Sequence, residues 1–227
     1  EPMRHKRPVN DFLKKVRKIA DEINAVLIFD EISSGWRLIE GGAHLRFGVD
    51  PDIAVFGKAM SNGYPMAAII GKREIMDMAQ ISFISSTYWT ERIGPAASIA
   101  TINKMIRDKV PNHLEKIGML IESGWRNLIE KYDLECEILP PYPLITLKLN
   151  YDNAQAIKTL LTQEMLKRGY LATLSVYVSY SHSEEHIKKY LDNLDEVFDI
   201  IRKAIDNKNV ESLINGPIAH SGFQRLT

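Results

Sequence analysis

Apolar residues recur every three or four positions over residues 9–24, at Phe12, Val16, Ile19, Ala20 and Ile23, and this spacing predicts an amphipathic helix. The pattern then changes. Ala25 to Phe29 is a short unbroken apolar run, followed at once by Asp30 and Glu31. A run of that length between a helix and acids predicts a buried strand of the parallel type. Two more such runs follow: Ile53 to Phe56, after the turn signal Asp50-Pro51-Asp52, and Met66 to Ile70, closed by Gly71. A short helix is predicted over 72–80. From Pro95 to about Tyr132 the period is helical again, and Pro111 divides it into two helices. The second carries Leu114, Ile117, Ile121, Trp125 and Leu128 on one stripe. Pro140, Pro141 and Pro143 mark an irregular connection. A strand over 144–149, a helix over 154–168, a strand over 175–179 and a helix over 184–205 follow. The last helix turns Ile187, Leu191, Leu194, Phe198 and Ile201 inward. Beyond Asn207 no period is visible.

This order predicts an α/β chain. Residues 1–110 hold the three strands, and residues 111–227 form a connecting helix and a smaller α+β domain. Parallel-type strands need helices on both faces and more neighbours than these, so an incomplete sheet is expected in the first part. Composition narrows the class. Twenty-nine Lys and Arg balance 29 Asp and Glu, so no overall field draws the chain to nucleic acid or an anionic membrane. An apolar content of 45% excludes a disordered chain. The single cysteine, Cys136, excludes an intrachain disulfide and a multi-Cys zinc site. No apolar run approaches the roughly 20 residues of a membrane span, and no basic-then-apolar leader opens the chain. A cytoplasmic location is expected.

Ligands of open α/β sheets bind beyond the carboxyl ends of the strands. Asp30 and Glu31 stand there after the first run, and Lys58 follows the second by one glycine. Each alone has an ordinary explanation: an acid at a turn, a lysine in a surface loop. A lysine desolvated at such a rim is shifted toward nucleophilic amine chemistry. An acid and a lysine at one rim match the needs of pyridoxal phosphate (PLP). Its aldehyde takes a lysine amine as a Schiff base, and its protonated ring nitrogen takes a carboxylate. The turn-rich segment Ser61-Asn62-Gly63-Tyr64-Pro65 would shape a loop over the same rim.

The residues Phe29-Asp30-Glu31-Ile32-Ser33-Ser34-Gly35-Trp36-Arg37, Gly41-Gly42-Ala43, Gly48-Val49-Asp50-Pro51-Asp52-Ile53 and Gly57-Lys58 resemble the class III aminotransferases, most of all their glutamate-1-semialdehyde aminomutase branch. The resemblance covers residues 1–110 in order and spacing, and the remainder in element order. It implies the C-terminal part of a PLP-dependent transferase large domain followed by the small domain. It implies Lys58 as the Schiff-base lysine and catalytic proton carrier, Asp30 as the pyridinium partner and Ile32 as the side chain packed on one ring face. It implies Thr90 as the residue reaching the cofactor phosphate of a neighbouring subunit in a homodimer. The family often shows Thr-x-x-Gly-Asn-Pro there, whereas this chain has Thr90-Glu91-Arg92-Ile93-Gly94-Pro95. The opening Glu1-Pro2 is similar to a Glu-Pro midway along such enzymes, so a C-terminal portion is expected, without the Gly/Ser/Thr phosphate loop and the stacking aromatic of the first half. The substrate implied is a small amino or carbonyl compound. The Gly-Gly-Ala segment and the absence of Gln at position 33 favour the aminomutase branch. The segment Ser86-Thr87-Tyr88-Trp89-Thr90-Glu91-Arg92 departs from it, which leaves intermolecular transamination open.

A second motif competes. His182-Ser183-Glu184-Glu185-His186 fits the inverted zinc-peptidase pattern H-x-x-E-H, which would make the chain a zinc hydrolase using His182, Glu185 and His186. The same residues read as a helix start, with Ser181 or Ser183 as cap and the two glutamates in the first turn. A third possibility is an inactive fragment that only mediates assembly. Trp36, Trp89 and Trp125 are expected to pack rather than stack on a ligand, and Tyr88 is not ranked above packing. Arg37 and Arg92 suit a substrate carboxylate or a structural ion pair equally.

Overall fold

The periodic stretch at the start forms α1, Phe12–Glu22. It leads to β1, Ile28–Asp30, which pairs in parallel with β2, Ile53–Phe56, in the register Ile28 to Ile53 and Asp30 to Val55. A third strand, β3, Ala68–Gly71, runs antiparallel to β2 with Phe56 opposite Ala68. The sheet order is β1-β2-β3. The short helix α2, Arg73–Met76, continues into a 3-10 turn, and α3 covers Ile93–Arg107. Residues 5–85, 87, 90–220 and 222 are described in this computed structural model.

Two expectations are corrected here. The third run is a strand, but an antiparallel one. Nor are the strands buried on both faces. Ile28, Ile69 and Ile70 are exposed, as are Phe12, Ile19 and Ile23 on the stripe of α1. Among the described residues the buried side chains of the strands, Ala54 and Phe56, lie on one face of the sheet. There Ala54, Phe56 and Met60 form a small core, backed by Trp36, Met66, Ala68 and Ile102 from α3. The helix α1 is instead tied by charge. Arg17 donates to the buried Asp52 at 2.8 Å. Asp52 also accepts the Leu27 N–H at 2.7 Å and pairs with Lys72 at 2.7 Å. One carboxylate thus joins α1, the entry to β1 and the exit of β3. These contacts hold its pKa well below the ordinary value of 3.8, the Leu27 N–H and Lys72 most strongly.

The chain divides into two compact units, residues 1–115 and 116–227. Helix α4, Val110–Lys131, begins after a break at Asp108–Lys109, with Pro111 at its second residue, where a missing N–H costs nothing. In the second unit its stripe of Ile117, Ile121 and Trp125 is fully buried. The hairpin β4, Cys136–Leu139, and β5, Thr146–Leu149, is antiparallel. Helices α5, Ala154–Lys167, and α6, Glu184–Asp206, pack together. Ile157, Leu160, Leu194, Val197, Phe198 and Ile201 supply the core. The sequence pattern misses β4, whose four residues carry no clear alternation. The strand expected over 175–179 is reduced to a single bridge, Ser175 to Thr146. Val176 and Val178 still donate to the carbonyls of Ile145 and Pro143.

Candidate active site

The parallel pairing of β1 and β2 brings their carboxyl ends side by side, so Asp30 and the Gly57-Lys58 pair share one rim of the sheet. Asp30 is exposed, and its Oδ1 accepts the Ile32 N–H at 3.0 Å. That bond turns the chain out of the strand and leaves Oδ2 free of any partner among the described residues. Ile32 then stands over Gly57: a Cβ at Gly57 would lie 3.6 Å from Ile32 Cγ2. Lys58 adopts the left-handed backbone conformation, φ 45°, at the head of a short 3-10 turn, Lys58–Met60. A non-glycine residue held there is under local strain, a feature that concentrates at functional sites. Its Nζ donates to Ser33 Oγ at 2.5 Å. Asp30, Ile32, Ser33 and Lys58 are therefore one cluster.

The loop that carries Ser33 is pinned from beneath. Glu31, only 4% exposed, accepts the His44 N–H at 2.9 Å and a bond from Ser34 Oγ, and its Oε1 lies 3.1 Å from His44 Nδ1. The Glu31 N–H in turn donates to the Val55 carbonyl at 2.9 Å. Gly35 closes the turn by donating to the Glu31 carbonyl at 2.8 Å. A Cβ at Gly35 would meet that carbonyl at 2.8 Å and the Phe56 ring at 2.7 Å, so no larger residue fits. Arg37 donates to the Ser33 carbonyl at 2.5 Å, which uses at least one of its nitrogens inside the loop. Trp36 packs on the Ala54-Phe56-Met60 core. The sequence singles out Asp30 but gives no sign that its neighbour Glu31 is the buried anchor. An acid that follows a strand end looks the same in either role.

Thr90 is exposed and lies three residues before α3, and no hydrogen bond joins it to the Asp30–Lys58 cluster among the described residues. Glu91 caps that helix, taking the N–H groups of Ile93 and Gly94. Arg92 is exposed. Ser86, Tyr88, Trp89, Glu1 and Pro2 lie outside the described residues.

The competing histidine motif forms a helix cap. Ser183 Oγ accepts the His186 N–H at 3.2 Å, and His186 Nδ1 accepts the Ser183 N–H at 3.2 Å. His182 Nδ1 accepts the Ser179 N–H, and Glu185 pairs with Lys189. Among the described residues no three His, Cys, Asp or Glu side chains gather as a metal site, and no helix is long and apolar enough to cross a membrane.

Comparison with known proteins bears on this geometry. Residues 5–198 match the family described as Aminotransferase class-III. The chain is 33% identical over 213 residues to a glutamate-1-semialdehyde 2,1-aminomutase of Ignicoccus hospitalis, covering 86% of this chain and 50% of that protein. It is 32% identical to a 3-aminobutyryl-CoA aminotransferase of Cloacimonas acidaminovorans, covering 87% and 49%. Among solved structures it superposes on the PLP internal aldimine form of the Sphingopyxis sp. MTA144 FumI protein. The TM-score is 0.81 at 23% identity, over 86% of this chain and 48% of that one. The fold is thus that of the PLP-dependent transaminases, and the chain spans about half the length of the curated relatives it matches.

Proposed function

The chain belongs to the class-III aminotransferase family, and on that premise we propose that it is the lysine-bearing portion of a PLP-dependent aminotransferase or aminomutase. The observation that carries the reading is the pairing of an exposed carboxylate, Asp30, with a strained lysine, Lys58, on adjacent strand ends of one rim. The donor set fits the cofactor. Lys58 offers an amine, Asp30 a carboxylate oxygen that no other group takes among the described residues, and Ile32 an apolar surface beside Gly57.

When bound, PLP supplies an aldehyde that takes up an amine and a ring that accepts the electron pair left when a neighbouring C–H bond breaks. The chain's residues then have distinct tasks. Lys58 Nζ would hold the cofactor through its amine. The same Nζ, when free, would take up a proton as base and return it as acid. Asp30 holds the proton on the ring nitrogen, and Ile32 packs on one ring face. Thr90, which is exposed, is left for the phosphate group of a neighbouring subunit, which makes a homodimer part of this reading. We place the enzyme in the cytoplasm, acting on small amino and carbonyl compounds. The names of the relatives cover both an aminomutase and an aminotransferase, and movement of an amino group is what the two share. The exposed apolar positions of β1, β3 and α1 are assigned to packing against the remainder of the whole protein.

Lys58→Ala in the whole enzyme is expected to abolish turnover, with a loss at least as large as the about 10²–10⁴-fold that a positioned proton carrier contributes. Turnover near the unsubstituted rate, measured as amino-group transfer, would contradict the assignment.

A further inference from the structure

Ser33 is not an obvious participant in amine chemistry, yet its side chain meets the reactive lysine. The residue is 1% exposed, and its hydroxyl has one partner among the described residues, the Lys58 Nζ at 2.5 Å. The contact is built from both sides. Arg37 fixes the Ser33 carbonyl at 2.5 Å, and the buried Glu31 fixes the next residue, Ser34, through its hydroxyl. On the other side, the left-handed conformation at Lys58 sets where its side chain leaves the end of β2. A flexible four-carbon side chain thereby acquires a fixed end point, which it lacks in a surface loop. A hydroxyl suits this task because it accepts from the amine and keeps its own proton to donate to the amine lone pair or to a ligand oxygen beside it.

We propose that Ser33 is a positioning residue that holds the Lys58 amine at the rim in the orientation from which it attacks an aldehyde and returns a proton. The inference rests on Lys58 being the cofactor lysine. It separates the orientation of the amine from its intrinsic reactivity, and that separation is testable. The 227-residue chain, Ser33→Ala and Ser33→Thr are each treated with pyridoxal phosphate and cyanoborohydride, and in parallel with formaldehyde and cyanoborohydride. The Lys58 peptide is followed with time by mass spectrometry. In both reactions Nζ bonds to the aldehyde carbon with loss of one water, and hydride then reduces the new C=N bond. The probes share their chemistry and differ in size and in their need for a fixed approach.

Ser33→Ala is expected to slow pyridoxyl capture at Lys58 about fivefold, the worth of one ordinary hydrogen bond, while methylation of Lys58 does not fall. Ser33→Thr keeps the hydroxyl and is expected to restore capture. Three results overturn the inference: capture unchanged in Ser33→Ala, an equal fall with both probes, or no restoration by Thr in a chain with an unchanged circular dichroism spectrum. A missing pyridoxyl group at Lys58 in both the unsubstituted chain and the whole protein overturns the functional reading itself. Capture at Lys58 that is indifferent to Ser33 overturns only this inference.

Discussion

Neighbouring acids in this chain do opposite work. Asp30 is exposed with a carboxylate oxygen unused among the described residues, whereas Glu31 is buried and engaged by Ser34 and His44. Substitution should separate the two. Glu31→Ala leaves the His44 N–H without its acceptor in a buried loop, and the loss of stability should be about 1–3 kcal/mol, measured by urea unfolding. Asp30→Asn should leave the unfolding midpoint unchanged and act on the chemistry alone. The one thiol has a plainer role. Burial, with Glu135 nearby, pushes Cys136 up to about 12, and only the thiolate is nucleophilic. Cys136 is therefore expected to resist iodoacetamide at pH 8 in the folded chain and to react on unfolding. Rapid labelling of the native chain would contradict the half-buried setting of Cys136. At this scale the sequence made Asp30 and Lys58 legible, because strand ends are marked by the pattern. It could not show Glu31 or Ser33 as partners, because their contacts are made across 13 and 25 residues of chain.

Helices are legible in the sequence, since a 3.6-residue period survives in any helix with one buried face. The stripe of α4 shows this, as does α6 with Ile187, Leu194, Phe198 and Ile201 buried. The stripe of α1 shows the limit: the period predicts the helix, but Phe12, Ile19 and Ile23 remain exposed in this chain. Strands were harder. A four-residue strand carries at most two alternations, which is why the pattern gives no sign of β4 and does not show that β3 is antiparallel. Two glycines of α4 make an element-scale prediction. A Cβ at Gly118 would lie 2.3 Å from the Tyr142 carbonyl oxygen, and one at Gly124 2.3 Å from a Leu191 methyl group. Backbone cannot yield as a leucine side chain can. Gly118→Ala should destabilise by about 1–3 kcal/mol through overpacking, and Gly124→Ala by less, despite alanine's preference for helices. Equal midpoints for the two variants in thermal unfolding would contradict the packing described here. The cap of α6 is a second case. Ser183→Ala should cost about 1 kcal/mol, and zinc should have no effect on it.

On the scale of the molecule, acid should weaken the first unit through one residue. The folded-state pKa of Asp52 lies below its ordinary value of 3.8, because Leu27, Lys72 and Arg17 stabilise the charged form. A depressed pKa contributes stability that is fully present above the ordinary carboxylate range and lost as the pH falls below it toward the folded value. Asp52→Asn should lower stability at pH 7 by about 1.5–3 kcal/mol, as for hydrogen bonds to a charged group, and should flatten the decline between pH 5 and about 2. Chemical denaturation at several pH values reads both effects, and an acid decline as steep in Asp52→Asn as in the parent would contradict them. The α/β class and the order of the helices are legible from the pattern alone. The cover of the sheet is not: short unbroken apolar runs predict buried strands, whereas Ile28, Ile69 and Ile70 are exposed.

The central claim is that Lys58 is the lysine that takes up the cofactor. It is tested most directly by incubating the chain with pyridoxal phosphate, reducing with borohydride and mapping the modified peptide by mass spectrometry. The account predicts a pyridoxyl group confined to Lys58. A label spread over surface lysines, or none at Lys58, in the whole protein as well as in this chain would contradict it.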